Sequence, residues 1–306
     1  MHVLRAIAGG LANAGIIVLI APLAQGILRK LIARIQSRQG PPLLQPYFDL
    51  LKLLGKEDLE SGEFPLMQRF AAYLSLATVL TVACFVPIGF AVPMNGAGDV
   101  IVLIYLLTLC GISTLLAGLA AGSTYSLLGI SREVTTMISL EPLFAIAIIV
   151  GALHAGSLRL DPVLRGSVWI SSGIPWSGLI MLVLMFLAFP AFVQRVPFDI
   201  SEAETELMEG PLAEYSGPKL ALFKYAQMAK LIIYSALFVT LFVPWGSELV
   251  FPIAWLFFWT KVFGLVLLVT LIAATHARYR LDQAIRTFAG FIGIAFVALI
   301  LASYGH

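Results

Sequence analysis

Between Arg195 and Gly217 the chain reads RVPFDISEAETELMEGPLAEYSG. That stretch holds Asp199, Glu202, Glu204, Glu206, Glu209 and Glu214, six of the seventeen acidic residues. Glu202, Glu206 and Glu209 fall at i, i+4 and i+7, so on a helix they share one face, where like charges repel and proton binding is favoured. Pro197 stops any preceding helix, Asp199 or Ser201 can cap a new one, and Ser201-x-x-Glu204 fits a capping box. A short helix whose acidic face holds and releases protons is therefore predicted here. A plainly solvated acidic loop is the alternative.

Other ionisable groups fall inside apolar runs. Glu141-Pro142 lies about a third of the way along a run that opens with Ser131-Arg132-Glu133, and Lys261 lies deep in another. An ionised group at that depth costs about 2.5–3.5 kcal/mol, so it must face protein or water and find a partner. Glu133 and Glu141 are eight residues apart, about 80° around a helix, and can line one side of a polar path. Lys261 is the obvious counter-charge, with Lys230 a second option. An ion pair that only fixes helix packing is the competing reading.

The elements that carry these residues follow from composition. With 60% hydrophobic and 12% charged residues in 306, the chain is far below the charge content of soluble domains, about a quarter. A bilayer core of roughly 30 Å takes about 20 apolar residues per helix. Runs of that kind lie near 6–28, 71–92, 100–122, 134–155, 177–194, 224–244, 252–275 and 287–304. The expected fold is thus all-α, a polytopic membrane protein of about eight helices forming one domain over 1–306. No repeat of fixed period and no cleavable signal peptide is evident.

Of the 19 Lys and Arg, 14 fall in the loops after the odd-numbered helices, three (Arg5, Arg159, Arg165) fall on the other side, and Lys230 and Lys261 are within helices. The positive-inside rule then makes the odd loops cytoplasmic and both termini outward, with the acidic stretch on the cytoplasmic side. The first cytoplasmic connection contains Gly40-Pro41-Pro42, which forbids helix continuation. Leu43, Leu44, Tyr47, Phe48, Leu50, Leu51, Leu53 and Leu54 then alternate with Gln45, Asp49, Lys52 and Lys56 at a period near 3.6, giving an amphipathic helix at the interface.

Net charge of +2 is too small to suggest nucleic acid. Cys84 and Cys110 lie in separate apolar runs without a CxxC, so the chain alone cannot hold an iron–sulfur cluster or zinc. His154 and His276 fall at opposite membrane faces and cannot hold one haem between them. The five tryptophans cluster toward the outward side, as an aromatic belt does.

Taken in order, RQGPPLLQPYFDLLKLLGKE, SREVTTMISLEP, AGSL at 155–158, RVPFDISEAETELMEGPLAEYSG and ARYRLDQ at 277–283 resemble the membrane subunit shared by respiratory complex I (its subunit 1) and the complex I-like membrane-bound [NiFe]-hydrogenases. The resemblance spans about Arg29 to Gln283. RxGPPLLQPYxDLxKLL and EGPLxEYSG look more like the hydrogenase group: formate hydrogenlyase, energy-converting and CO-linked hydrogenases. Complex I subunits usually carry a glutamate three residues before the counterpart of Arg195, where this chain has Phe192.

The resemblance implies an anchor without a redox centre or a complete catalytic site. On it would dock the hydrogenase large and small subunits and a ferredoxin-like iron–sulfur subunit, which carry the [NiFe] centre and the clusters, with antiporter-like subunits beside it in the bacterial or archaeal cytoplasmic membrane. Glu133, Glu141 and Lys261 would continue a proton path from Asp199, Glu202, Glu204, Glu206, Glu209 and Glu214. Arg34, Arg38, Asp49, Arg132, Arg195, Arg278, Arg280 and Asp282 would pair with that path or with the cytoplasmic arm. A quinone enters only in the alternative, a chamber subunit of an NADH:quinone oxidoreductase, and an autonomous ion carrier is a third reading. The electron donor (formate, CO or ferredoxin) and the coupling ion stay open.

Overall fold

A computed structural model describes residues 2–59, 64–88, 98–170, 174–201 and 210–305, with side chains described from residue 6 onward. The described residues form helices and no strand beyond one isolated bridge, Asp99 to Arg159. Seven helices are long and apolar enough to cross a membrane: α1 (His2–Ile35, of which Ala6–Ile35 is the span), α3 (Pro65–Phe85), α4 (Val100–Ala121), α5 (Thr124–Ala155), α8 (Gly217–Phe242), α9 (Ile253–Thr275) and α10 (Leu281–Ser303). An eighth apolar helix, α7 (Trp176–Phe192), has 17 residues. Among the described residues the shorter pieces are the amphipathic α2 (Gln45–Leu54), α6 (Leu160–Val163) and two 3-10 turns, Ser167–Trp169 and Gly210–Leu212. The protein is therefore an all-α polytopic membrane protein.

The apolar runs find the helices but misplace several ends. Helix α5 begins at Thr124, ten residues before the apolar run, because Ser123 caps it by accepting from the Ser126 backbone N–H at 3.2 Å. Only one side of these first turns, Ser126, Gly129 and Ile130, is buried. Glu141 consequently sits near the middle of a 32-residue helix and Glu133 in its third turn. Gly156, at φ 60°, ends α5 as a left-handed C-cap that only glycine adopts without strain.

Helix α8 is the axis of the bundle: 83% of its most apolar window is buried, and it packs against α1, α2, α3, α7 and α9. α10 closes the other side against α5 and α7. Pro22 lies inside α1 and has no N–H to give the Val18 carbonyl. The Tyr225 hydroxyl from α8 donates to that carbonyl, and the Tyr47 hydroxyl from α2 donates to Leu19 O, one residue on. Both α2 and α8 are thereby fastened to the bend of α1. Close approach adds to this, since a Cβ on Gly26 would meet Leu43 O at 2.0 Å.

Candidate functional site

Three of the sequence motifs, SREVTTMISLEP, the start of RVPFDISEAETELMEGPLAEYSG and ARYRLDQ, converge where α5, α7, α8 and α10 meet. The loop after α7 is fixed first. The Tyr279 backbone N–H donates to Pro197 O at 2.8 Å, Phe198 packs on the rings of Tyr279 (5.2 Å) and Phe288 (5.0 Å), and Arg278 Nη2 reaches Asp199 Oδ2 at 3.3 Å. Arg195 donates to Gln25 Oε1 of α1 at 2.7 Å. The VPFD and ARYR motifs are thus two halves of one contact.

That contact turns Gln194 inward. Its backbone sits at φ 51°, a left-handed conformation costly for a residue with a side chain. In that pose Gln194 Nε2 donates to Glu133 Oε1 at 2.6 Å, and Glu133 is only 4% exposed. A buried carboxylate needs such a donor, because desolvating it unpaired is expensive. Beside the pair lies a cavity of about 60 Å³ lined by Glu133, Glu141, Gln194, Ser201, Lys230 and Tyr234. It has room for several waters, each needing about 10–15 Å³ of such space. The Lys230 ammonium stands 5.7 Å from the Tyr234 ring centroid.

The wall toward α7 is aromatic. Phe192 stacks on Tyr234 (5.8 Å, 20°), and Phe144 meets both edge-on at 5.3 and 5.5 Å. Phe192 occupies the position at which complex I subunits usually place a glutamate, so an apolar plate stands there instead of a third carboxylate. A second cavity, of about 420 Å³, opens between α1, α8 and α9 and is lined by Arg29, Arg195, Asp199 and Lys224. Gln194 and Lys230 line both cavities and form the partition between them.

The structure corrects the expected partner of Glu141. Lys261 is not in this cavity: its ammonium donates to Val243 O at 2.7 Å and Trp245 O at 2.8 Å and stands 5.2 Å from the Phe257 ring. The turn of α9 points it at the carbonyls that end α8, while Lys230 of α8 faces the carboxylates. Gln194 and Tyr234 are further site residues that residue type alone does not announce.

The remaining candidates lie around this centre. Arg29 Nη1 bonds Asp49 Oδ2 at 2.8 Å and Gln45 Nε2 bonds Asp49 Oδ1 at 2.9 Å. Partial burial raises the Asp49 pKa, but these two donors outweigh it and hold the carboxyl below its ordinary value. Arg34, Arg38, Glu214, Arg280 and Asp282 are exposed, and Arg132 is half-buried. Glu202, Glu204, Glu206 and Glu209, with the predicted short helix, lie outside the described residues.

The exit of the acidic stretch is described, and it explains the EGPLAEYSG motif. Pro211 and Gly210 wedge against Gly129 of α5, where a Cβ would meet Pro211 Cδ at 2.8 Å. The Tyr215 hydroxyl donates to Ala117 O at 2.9 Å and Ser126 Oγ donates to Gly118 O at 2.9 Å, satisfying carbonyls at the end of α4. Burial pushes the Tyr215 phenol above its ordinary pKa, so it stays a donor. Lys219 then bonds Asp58 at 3.2 Å, and Gly217, at φ 57°, leaves no room for a Cβ beside Glu57 O. The described part of the motif, Gly210 to Gly217, is held between the α4–α5 corner and the loop after α2.

Buried charges and small polar cavities at one end of an apolar helical bundle define a class: a membrane-embedded subunit that carries ionisable groups between its surface and its interior. Among the described residues no three of His, Cys, Asp and Glu come together as a metal site. Residues 10–303 match the family model described as NADH dehydrogenase. The chain is 39% identical over 241 residues to hydrogenase-4 component C of Escherichia coli (77% of this chain, 75% of that protein). It is 34% identical over 302 residues to formate hydrogenlyase subunit 4 of the same organism (95% and 96%). An NADH-quinone oxidoreductase membrane subunit of Geobacter sulfurreducens is 33% identical over 290 residues (84% and 82%). A solved structure of the membrane-bound sulfane sulfur reductase, an archaeal respiratory membrane complex, shares the fold, with TM-score 0.86 at 24% identity over 97% of this chain and 99% of that one. The chain belongs to the NADH dehydrogenase family of membrane subunits, within which it resembles those of the complex I-like hydrogenases.

Proposed function

We propose that this chain is the membrane-anchor and coupling subunit of a multisubunit membrane-bound [NiFe]-hydrogenase. In this reading, proton reduction to H2 at a [NiFe] centre in the large subunit is linked to ion movement through the membrane arm. The large and small subunits and a ferredoxin-like iron–sulfur subunit dock on the cytoplasmic end, and antiporter-like subunits flank the bundle. Two of the relatives named above are a hydrogenase component and a formate hydrogenlyase subunit, which supports the hydrogenase side of the family. Residues 1–306 act as one domain in the cytoplasmic membrane, with both termini outward.

The observation that carries the reading is that Glu133, Glu141 and Lys230 line one small cavity, partitioned from a larger basic cavity by Gln194 and Lys230 themselves. Groups so placed can take up a proton on one side and relay its charge on the other. Asp199, in the lining of the larger cavity, supplies a carboxylate at the entrance. Exposed Arg34, Arg38, Arg280, Asp282 and Glu214 offer charge to the arm, and Arg132, Arg195 and Arg278 tie the entrance together.

In inverted vesicles holding the assembled complex, Glu141→Gln is expected to cut ion movement per H2 evolved by about tenfold or more, with subunit stoichiometry unchanged. Unchanged coupling would falsify the assignment. The 420 Å³ cavity between α1, α8 and α9 and the NADH-quinone oxidoreductase relatives favour a second reading, a quinone chamber. Quinone-dependent oxidation by the purified complex, in place of H2 evolution, would establish that one.

A further inference from the structure

A third cavity, of about 450 Å³, opens at the other end of α8, between α6, the loop 243–252 and the first turns of α9. Its charged lining is Asp161, Arg165, Glu248 and Lys261, with Thr240 and Ser247 beside them. Arg165 and Asp161 are already paired through Nε at 3.1 Å and Nη2 at 2.8 Å. Lys261 has three N–H donors; two go to Val243 O and Trp245 O, which leaves one for the cavity. Carbonyls solvate the ammonium without neutralising it. Glu248, exposed on the far wall, makes no hydrogen bond or ion pair among the described residues. The cavity therefore offers one unneutralised cation and one unneutralised anion, with net charge near zero.

The surroundings say what kind of molecule reaches it. Leu249, Val250, Phe251 and Ile253 form an exposed apolar rim beside the opening. Trp169 and Trp245 pack at 5.8 Å between ring centroids, and the Trp169 indole donates to Phe242 O at 2.9 Å. Indoles at this level mark the boundary between hydrocarbon and headgroups. A polar pocket of both signs bordered by exposed apolar side chains matches an amphiphile whose head is itself a zwitterion.

We propose that this cavity seats the headgroup of a zwitterionic phospholipid of the phosphoethanolamine type, its phosphate on Lys261 and its ammonium on Glu248. The acyl chains lie over the apolar rim, and Lys261 is a lipid ligand and not a member of the path through Glu141. This inference stands independently of the hydrogenase reading.

The test is native mass spectrometry of the full chain in detergent, delipidated and then offered dioleoylphosphatidylethanolamine, dioleoylphosphatidylglycerol or dioleoylphosphatidylcholine in turn, with inorganic phosphate as competitor. One phosphatidylethanolamine per chain is expected, held about tenfold more tightly than the other two lipids. Lys261→Met is expected to lose about tenfold in retention. Glu248→Gln, on an exposed residue that carries no fold contact, is expected to abolish the preference for the ethanolamine head while the chain stays folded. Equal retention of phosphatidylglycerol, retention unaltered in both variants, or displacement by millimolar phosphate alone would each overturn the proposal, the last by naming free phosphate as the ligand.

Discussion

Lys230 and Lys261 lie on neighbouring helices joined by one loop, and each interrupts a strongly apolar run. Lys230 shares a cavity with two carboxylates, Glu133 and Glu141, and has a tyrosine ring beneath it. Lys261 is held by two backbone carbonyls and a phenylalanine ring. A cation among groups that titrate can exchange protons with them. One among carbonyls can only be solvated by them. The same residue type thus meets two different surroundings, Lys230 midway along α8 and Lys261 on α9 beside the end of α8.

The contrast breaks most decisively with Lys230→Met, which leaves Glu133 and Glu141 facing each other across the cavity without their cation. Coupled ion movement is expected to fall about tenfold or more, while Lys261→Met, assayed in the same vesicles, leaves coupling unchanged. Equal losses in both variants would erase the distinction. A smaller effect is expected from Gln194→Leu, which strips Glu133 of its one observed donor at 2.6 Å. Thermal unfolding of the purified protein is expected to show a loss of about 1–3 kcal/mol; an unaltered midpoint would mean that water replaces the amide.

The least effect belongs to the Arg29–Asp49 pair, where both side chains are about 40% exposed. The Asp49 carboxyl is held below its ordinary value of 3.8. Its stabilising contribution is therefore complete above that pH and disappears as pH falls through the lower folded value. Asp49→Asn is expected to lower the melting temperature slightly at neutral pH and to converge with the parent protein once pH falls below the carboxyl's lowered folded value. A difference that persisted in acid would point to packing of α2 and not to charge.

Apolar runs are enough to find eight helices and the amphipathic α2, because burial in lipid leaves a signal at every residue. They do not find where α5 begins, since Ser123 and the contact at Gly129 are features of cap and close approach and not of hydropathy. Glu133 and Glu141 are legible as a pair because eight residues on a helix fix their relative azimuth. Their cation is not legible: choosing between Lys230 and Lys261 needs the rotation of two helices about their own axes, which nearly uniform apolar sequences leave undetermined. Gln194 is the hardest to foresee, since its role depends on a left-handed backbone set by a contact with residues more than eighty positions away. Much of the EGPLAEYSG motif reads as chemistry in the sequence, and in the fold its described part is a clamp.

An amide neither gains nor loses a proton at physiological pH, and Gln194 is the side chain that stands between the basic cavity and Glu133. It can hold the carboxylate still but cannot itself become charged on the way. With an apolar ring at Phe192, a proton crossing between the cavities under the proposed function would pass by Lys230 or by hydration beside it. Traffic across this wall is then governed by how often the small chamber is wet, which makes it sensitive to deuterated solvent and to osmotic stress rather than to the acidity of any residue in the partition.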